Sequence, residues 1–126
     1  MIKIILDTNF LVIPHIYKID IFHEIDRLIN REYEILVPSG VLEELRRLKN
    51  SKGENKISAR VALQLIKKKC IKIIQSQNLV DEFILNFAVK NRGVIVCTND
   101  AELRKRLKEL DIPVISMRGE SRLDFC

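Results

Sequence analysis

The stretch that decides the fold is the first thirteen residues, Met1-Ile-Lys-Ile-Ile-Leu-Asp-Thr-Asn-Phe-Leu-Val-Ile13. The apolar, β-branched run over residues 2–6 is typical of a strand buried on both faces, as in a parallel sheet. Asp7 follows it directly, and a buried carboxylate is costly unless it is paired, hydrogen-bonded or bound to a metal. Ligands of open α/β sheets lie outside the carboxyl ends of the strands. Asp7 is therefore either a functional acid at such an end or the cap of the next helix.

The length and composition indicate one ordinary domain over residues 1–126, with 47% hydrophobic residues to form its core. No apolar run approaches the ~18 residues of a membrane helix, and Asp7 interrupts the only candidate signal region. Cys70, Cys97 and Cys126 form no Cys-x-x-Cys pair, so a zinc site is not expected. We expect a reduced, cytoplasmic protein.

The charge of the chain bears on its partners. The formal net charge is +5, and the isoelectric point is about 9.2. This balance favours a polyanionic partner. The alternative is the Lys-rich surface of a heat-adapted protein.

Strand-like and helix-like segments alternate along the chain. After the first strand, the apolar spacing predicts helices over residues 16–29, 41–49, 57–69, 78–92 and 100–110. It predicts strands over residues 35–37, 70–74, 94–97 and 113–115. Ser39 or Gly40 is expected to cap the second helix and Asn78 the fourth, whereas the last ten residues fit no clear pattern. The alternation predicts an α/β fold with a mostly parallel sheet and helices on both faces.

Several common functional motifs are absent from the sequence. No Gly-x-Gly-x-x-Gly follows the first strand, which disfavours dinucleotide binding. There is no Walker loop. No Ser or Cys motif accompanies His15 or His23, which disfavours a His-based catalytic triad. What remains is a set of acidic residues.

Glu44 is the first candidate acid after Asp7. With Val41 at zero degrees and steps of 100° per residue, Leu45 falls near 40° and Glu44 near 300°, at the edge of the apolar stripe. Glu43 falls near 200°, on the far side. We therefore expect Glu44 to face the body of the protein and Glu43 to face solvent. A surface pair with Lys or Arg is the alternative role for Glu44.

Asp81 and Asp100 complete the set. Asp81 lies near the start of the fourth predicted helix, where an acid also complements the helix dipole, and Glu82 could share or replace its role. Asp100 follows the fourth strand and repeats the arrangement at Asp7, although it could be only a helix cap. Asp7 and Asp100 both leave the carboxyl ends of strands, and Asp81 opens a helix on the same side.

A cluster of four carboxylates has a clear chemical use. Carboxylates ~4 Å apart repel by about 4 kcal/mol per pair at an effective dielectric of 20, so a cluster needs protons or bound cations. Oxygen ligands suit Mg²⁺ or Mn²⁺. Such cations can activate water for attack on a phosphodiester.

Four segments of the chain resemble the four signature regions of the PIN-domain nucleases. None is specific alone, but together they are, in the right order and over essentially the whole chain. The ending at residues 112–115 with Arg118 is similar to that of archaeal PIN proteins related to ribosome-processing and VapC-type toxin endonucleases. The four segments are Leu6–Leu11, Val41–Leu45, Val80–Ile84 and Cys97–Leu103.

The resemblance implies a three-layer α/β/α fold with a five-stranded parallel sheet of order 3-2-1-4-5. It also implies Mg²⁺- or Mn²⁺-dependent hydrolysis of single-stranded RNA. An antitoxin or a ribosome-assembly factor would be the protein partner, and a homodimer is open. The family's four acidic positions, which act as metal ligands and catalytic residues, fall on Asp7, Glu44, Asp81 and Asp100. Supporting roles fall on Thr8, Asn9, Thr98, Asn99 and Glu82, with Thr98 where the family often has a Ser or Thr beside the first Asp.

The RNA itself would be held by basic residues, for which Arg46, Arg47, Lys49 and Arg104 are candidates, although each could belong to a solvated face. A non-catalytic RNA-binding or scaffold protein with this fold is the main alternative. A phosphatase of the haloacid dehalogenase type would need Asp-x-Asp, whereas Asn9 occupies the second position. A toxin and a processing enzyme are not distinguished by the sequence.

Overall fold

The computed structural model describes residues 1–77 and 79–126. In this part of the chain, none of the helices is long and apolar enough to cross a membrane. The strands are β1 (Ile2–Leu6), β2 (Tyr33–Pro38), β3 (Lys72–Ile74), β4 (Val94–Cys97), β5 (Val114–Arg118) and β6 (Arg122–Phe125). The helices are α1 (Thr8–Leu11), α2 (Ile13–Tyr17), α3 (Ile21–Leu28), α4 (Ser39–Lys49), α5 (Glu54–Lys68), α6 (Val80–Lys90) and α7 (Ala101–Glu109).

The strands form one sheet in the order β3-β2-β1-β4-β5-β6. The first five in this order pair in parallel, and β6 pairs antiparallel with β5. The predicted α/β class and the order 3-2-1-4-5 are confirmed. The last ten residues, which fitted no pattern, supply the sixth strand through a hairpin that turns at Gly119, whose φ of +64° suits glycine.

The sheet separates two apolar layers, which gives the three-layer α/β/α architecture. In β1, Ile4 and Leu6 belong to a core shared with α1 to α5. Ile5 points the other way, into a core shared with α6 and α7. All three side chains are fully buried, as expected for a strand covered on both faces. Chain connections run in opposite directions from β1, so a crevice opens at the carboxyl ends of β1 and β4.

The single helix predicted over residues 16–29 is wrong. The chain forms α2 and α3 instead, because Lys18 adopts a left-handed conformation (φ 58°) and Asp20 starts a new helix. The Asp20 carboxylate accepts hydrogen bonds from the backbone N–H groups of Phe22 and His23, both at 3.1 Å. The apolar spacing continues across this break, so periodicity alone did not reveal it.

Other boundaries differ by a few residues. α4 begins at Ser39 itself, and neither Ser39 nor Gly40 is its cap, because the cap position is Pro38. The Ser39 hydroxyl accepts a hydrogen bond from the Ser76 backbone N–H at 2.9 Å. The predicted cap Asn78 lies outside the described residues. α6 ends two residues before the predicted Arg92.

Candidate active site

Asp7 stands at the carboxyl end of β1 and is only 4% exposed. One carboxylate oxygen accepts a hydrogen bond from the Phe10 backbone N–H at 2.9 Å, which caps α1, and the other accepts from the Thr98 hydroxyl. Burial raises the pKa of Asp7 to about 7, although both hydrogen bonds favour the ionised form. The charges of Asp81 and Asp100 act in the same direction as burial. Asp7 is thus the cap of α1 and also a buried acid with a pKa of about 7.

Glu44 approaches the same crevice from α4. Its Oε1 accepts a hydrogen bond from the Thr8 hydroxyl at 3.0 Å, so the residue after Asp7 orients it. Glu44 is half-buried and Glu43 is exposed. The predicted orientation of these neighbours on the helix is therefore confirmed.

Asp100 follows β4 and caps α7. Its Oδ1 accepts a hydrogen bond from the Leu103 backbone N–H at 3.0 Å. Its own N–H donates to the Thr98 hydroxyl oxygen at 3.0 Å. The Thr98 hydroxyl is fully buried. It donates to Asp7 and accepts from the Asp100 N–H, so it connects the loops after the two central strands.

The two asparagines hold the loops in place behind the acids. Asn9 Oδ1 accepts a hydrogen bond from the Asn99 backbone N–H at 3.1 Å. Asn99 Oδ1 in turn accepts from the Met117 N–H on β5 at 2.9 Å. These bonds tie the loop after β1 to the loop after β4 and to β5.

Asp81 lies in the first turn of α6. Burial raises its pKa, and the charges of Asp100 and Glu44 raise it further, whereas Arg106 lowers it. Glu82 is 47% exposed and forms an ion pair with Arg106 at 3.0 Å. Of the two adjacent acids, Asp81 helps to raise the pKa of Asp7, whereas Glu82 acts on the pKa of Asp81.

The four predicted acids all line one cavity of about 370 Å³. They come from four different elements, and the topology alone brings them to one edge of the sheet. Glu82 does not line this cavity. The lining consists of Asp7, Glu44, Asp81 and Asp100 with Thr8, Asn9, Val12, Ile16, Leu48, Asn55, Ser58 and Val80.

The family model described as PIN like domain matches residues 4–120. The chain belongs to this PIN-like domain family. It is 43% identical to Ribonuclease VapC4 of Methanocaldococcus jannaschii, over 99% of this chain and 97% of that protein. It is 29% identical to Ribonuclease VapC9 of Archaeoglobus fulgidus, over 94% of this chain and 85% of that protein. The fold is similar to that of the PIN domain endonuclease Utp24, with a TM-score of 0.78, 21% identity, and coverage of 98% and 90% of the two chains.

Two polar residues that line the acid cavity of this PIN-like domain were not predicted from the sequence. Asn55 and Ser58 line the acid cavity from the start of α5. Asn55 precedes the helix predicted over residues 57–69, whereas α5 begins at Glu54. Ser58 lies on the buried face of the helix beside Ala59, so a polar residue within that face was the available signal.

The basic residues predicted to bind RNA lie on α4 and α7, and three of them line different cavities. Arg47 lines an opening next to Glu44 and Asp81, while Arg46 is exposed on α4. Lys49 lines a groove between α4 and α5. Arg104 donates a hydrogen bond to the Ser116 hydroxyl at 3.3 Å and lines a separate cavity along α7.

The donor chemistry of the cavity fits a hard divalent cation, because its charged groups are carboxylates. Across residues 1–77 and 79–126, however, no three Asp, Glu, His or Cys side chains converge closely enough to form a metal-binding group. The four carboxylates thus share a cavity without meeting at one point. Burial is the largest cause of the raised pKa values of Asp7 and Asp81, and the charges of neighbouring acids add to it.

Proposed function

We propose that the chain is a metal-dependent endoribonuclease that hydrolyses RNA phosphodiester bonds. The observation that carries this proposal is that Asp7, Glu44, Asp81 and Asp100 all line one cavity at the carboxyl edge of the sheet. Packing four acids together is unfavourable for the fold, so it calls for a ligand that offsets their charge. The ribonuclease names of two relatives support RNA as the substrate.

In this proposal the four acids would hold Mg²⁺ or Mn²⁺. A cation there would lower the pKa of a water molecule and neutralise charge on the scissile phosphate. Thr98 holds the Asp7 carboxylate, and Thr8 holds that of Glu44. Asp81 is preferred to Glu82 as the third ligand because Glu82 is paired with Arg106.

The expected partners follow from the same proposal. The substrate would be single-stranded RNA, and Arg47 is the predicted basic residue that lines an opening together with Glu44 and Asp81. An antitoxin or ribosome-assembly partner, a homodimer and a cytoplasmic location remain predictions from the resemblance and the composition.

A circular, single-stranded RNA tests the proposal, because only an endonuclease can open it. We expect the purified protein to linearise the circle with Mn²⁺ or Mg²⁺ and to be inactive in EDTA. Asp7→Asn, Asp100→Asn and Glu44→Gln should each reduce the rate by more than ~100-fold. Mutation of a residue that only hydrogen-bonds to a metal ligand already reduces activity by about 10–100-fold. Glu43→Gln is the matched control and should change the rate by no more than ~2-fold.

Cleavage that persists in EDTA, or that survives Asp7→Asn, would contradict the metal mechanism. Binding of the circle without cleavage under all conditions would instead favour the non-catalytic RNA-binding or scaffold role. Equal reductions of the cleavage rate in Glu43→Gln and Glu44→Gln would show that the orientation of α4 does not determine which of the two acids is catalytic.

A further inference from the structure

A second cavity, of about 570 Å³, lies between the end of α4 and the outer face of α5. We call it the basic groove. Four of the side chains that line it are cationic, and none is acidic. The lining residues are Lys49, Asn50, Lys56, Arg60, Leu63, Gln64 and Lys67.

Helix stability does not account for this arrangement of charge. Lys56 lies in the first turn of α5, where the helix dipole disfavours a cation. Lys56 and Arg60 are four residues apart, so they are neighbours of like charge on one face and repel each other. Lys49 and Lys67 do lie in the last turns of their helices, where the dipole favours them. The pair on α5 therefore persists against the preference of the helix.

The cations of the groove have no acidic partners within the described ranges 1–77 and 79–126. The ion pairs found there are His15–Glu54, Arg27–Glu24, Arg106–Glu82 and Arg118–Asp124. None of these pairs includes a residue of the groove. Their charge is available to an external anion.

The basic groove adjoins the acid cavity. Leu48 lines the acid cavity and Lys49, the next residue of α4, lines the groove. Asn55 and Lys56 repeat this relation on α5. Lys56, Arg60 and Lys67 form a cationic stripe along α5. It extends eleven residues from Lys56, or about 16 Å of helix at 1.5 Å per residue. A chain leaving the acid cavity across the α4–α5 corner would follow this stripe.

We propose that the basic groove binds the sugar–phosphate backbone of the RNA substrate on one side of the scissile bond. This inference rests on the proposed function, which places the scissile phosphate in the acid cavity. Repeated cations suit repeated phosphates, and the side-chain amides of Asn50 and Gln64 can donate to phosphate or ribose oxygens. Such contacts position an RNA strand without reading its bases.

The test measures RNA binding in EDTA, so that it does not depend on cleavage. The probe is a mixed-sequence single-stranded RNA about 20 nucleotides long, and its Kd is measured over a range of salt concentrations. The double variant Lys56→Ala/Arg60→Ala should weaken binding ~10-fold and flatten the plot of log Kd against log salt by about 0.7 to 1.4, which corresponds to one or two lost phosphate contacts. The control Lys105→Ala/Lys108→Ala removes the same charge from α7 and should leave the slope unchanged.

An unchanged slope in the groove variant, or an equal change in the α7 control, would overturn the proposal. Tighter binding of an oligoglutamate of equal charge than of the RNA would also overturn it, in favour of an acidic protein partner. A cleavage assay separates this inference from the proposed function. If the wild type cleaves nothing, the nuclease proposal fails and the binding slope still decides the groove. If cleavage occurs, the groove variant should raise KM for long RNA with little change in kcat.

Discussion

Both carboxylate oxygens of Asp7 accept hydrogen bonds, one from the Phe10 N–H and one from the Thr98 hydroxyl. These bonds orient the group and cap α1, whereas burial penalises its charge and raises its pKa to about 7. At the scale of the residue, the folded protein therefore favours the protonated form of Asp7 more than the unfolded chain does. A cation in the cavity would reverse that preference, since metal ligands must be deprotonated.

The pH dependence of stability in EDTA should show this effect. The pKa of Asp7 is higher in the folded state than its ordinary value of 3.8, so its contribution to stability is complete below that pH and is lost as pH rises to about 7. Within this window the free energy of unfolding should fall by about 1.4 kcal/mol per pH unit because of Asp7. Urea denaturation of the wild type and of Asp7→Asn across the window measures the difference. Parallel curves for the two proteins would contradict the pKa shift.

At the scale of elements, the site depends on how α4 is held against α6. The Gly40 N–H at the start of α4 donates to the Ser76 hydroxyl at 2.9 Å. A Cβ atom on Gly40 would lie 3.0 Å from a methyl group of Val80, the residue before Asp81. This close approach joins the helix that carries Glu44 to the helix that carries Asp81.

Removal of the Ser76 hydroxyl should loosen this junction. Ser76→Ala leaves the Gly40 N–H, one of the first donors of α4, without its acceptor, and should lower the free energy of unfolding by ~1 kcal/mol. Ser121, which is exposed in the hairpin between β5 and β6, provides the control Ser121→Ala, for which we expect no measurable change. Denaturant melts of the three proteins measure both effects. If the two serine variants are equally stable, the junction contributes nothing.

At the scale of the whole molecule, the fold holds four mutually repelling acids at one edge of its sheet, within a chain of net charge +5. Their repulsion opposes folding until a cation occupies the cavity, and the unfolded chain offers no such site. If the cavity holds the proposed cation, the stability of the fold would depend on the concentration of the metal.

Saturating Mn²⁺ or Mg²⁺ should raise the melting temperature. At ~100 times the Kd the gain would be about 2.7 kcal/mol for one site. Asp100→Asn should match or exceed the wild type in EDTA, because it removes a repelling charge and still caps α7, and should respond less to metal. Asp100→Ala should be ~1 kcal/mol less stable than Asp100→Asn, because it removes the same charge but lacks the cap. Thermal melts of the three proteins with and without metal decide the matter, and a wild type that does not respond to metal would refute the shared metal site.

The sequence by itself determined the strands that carry the acids and the side of α4 on which Glu44 lies. These features are local: a buried strand has a continuous apolar run, a helix has a 3.6-residue period, and the caps at Asp7 and Asp100 bond to residues three positions ahead. The strand order followed only from the resemblance, because no local pattern encodes which strands become neighbours.

Only the tertiary structure decided the rest of the site. The pairing of β6 with β5 and the position of Ser58 in the acid cavity depend on packing between segments of the folded chain. The same holds for the preference for Asp81, since the Arg106 side chain that pairs with Glu82 comes from another helix. Desolvation of Asp7 arises from the layers on both sides of the sheet, so its raised pKa is a property of the folded domain and not of its neighbours along the chain.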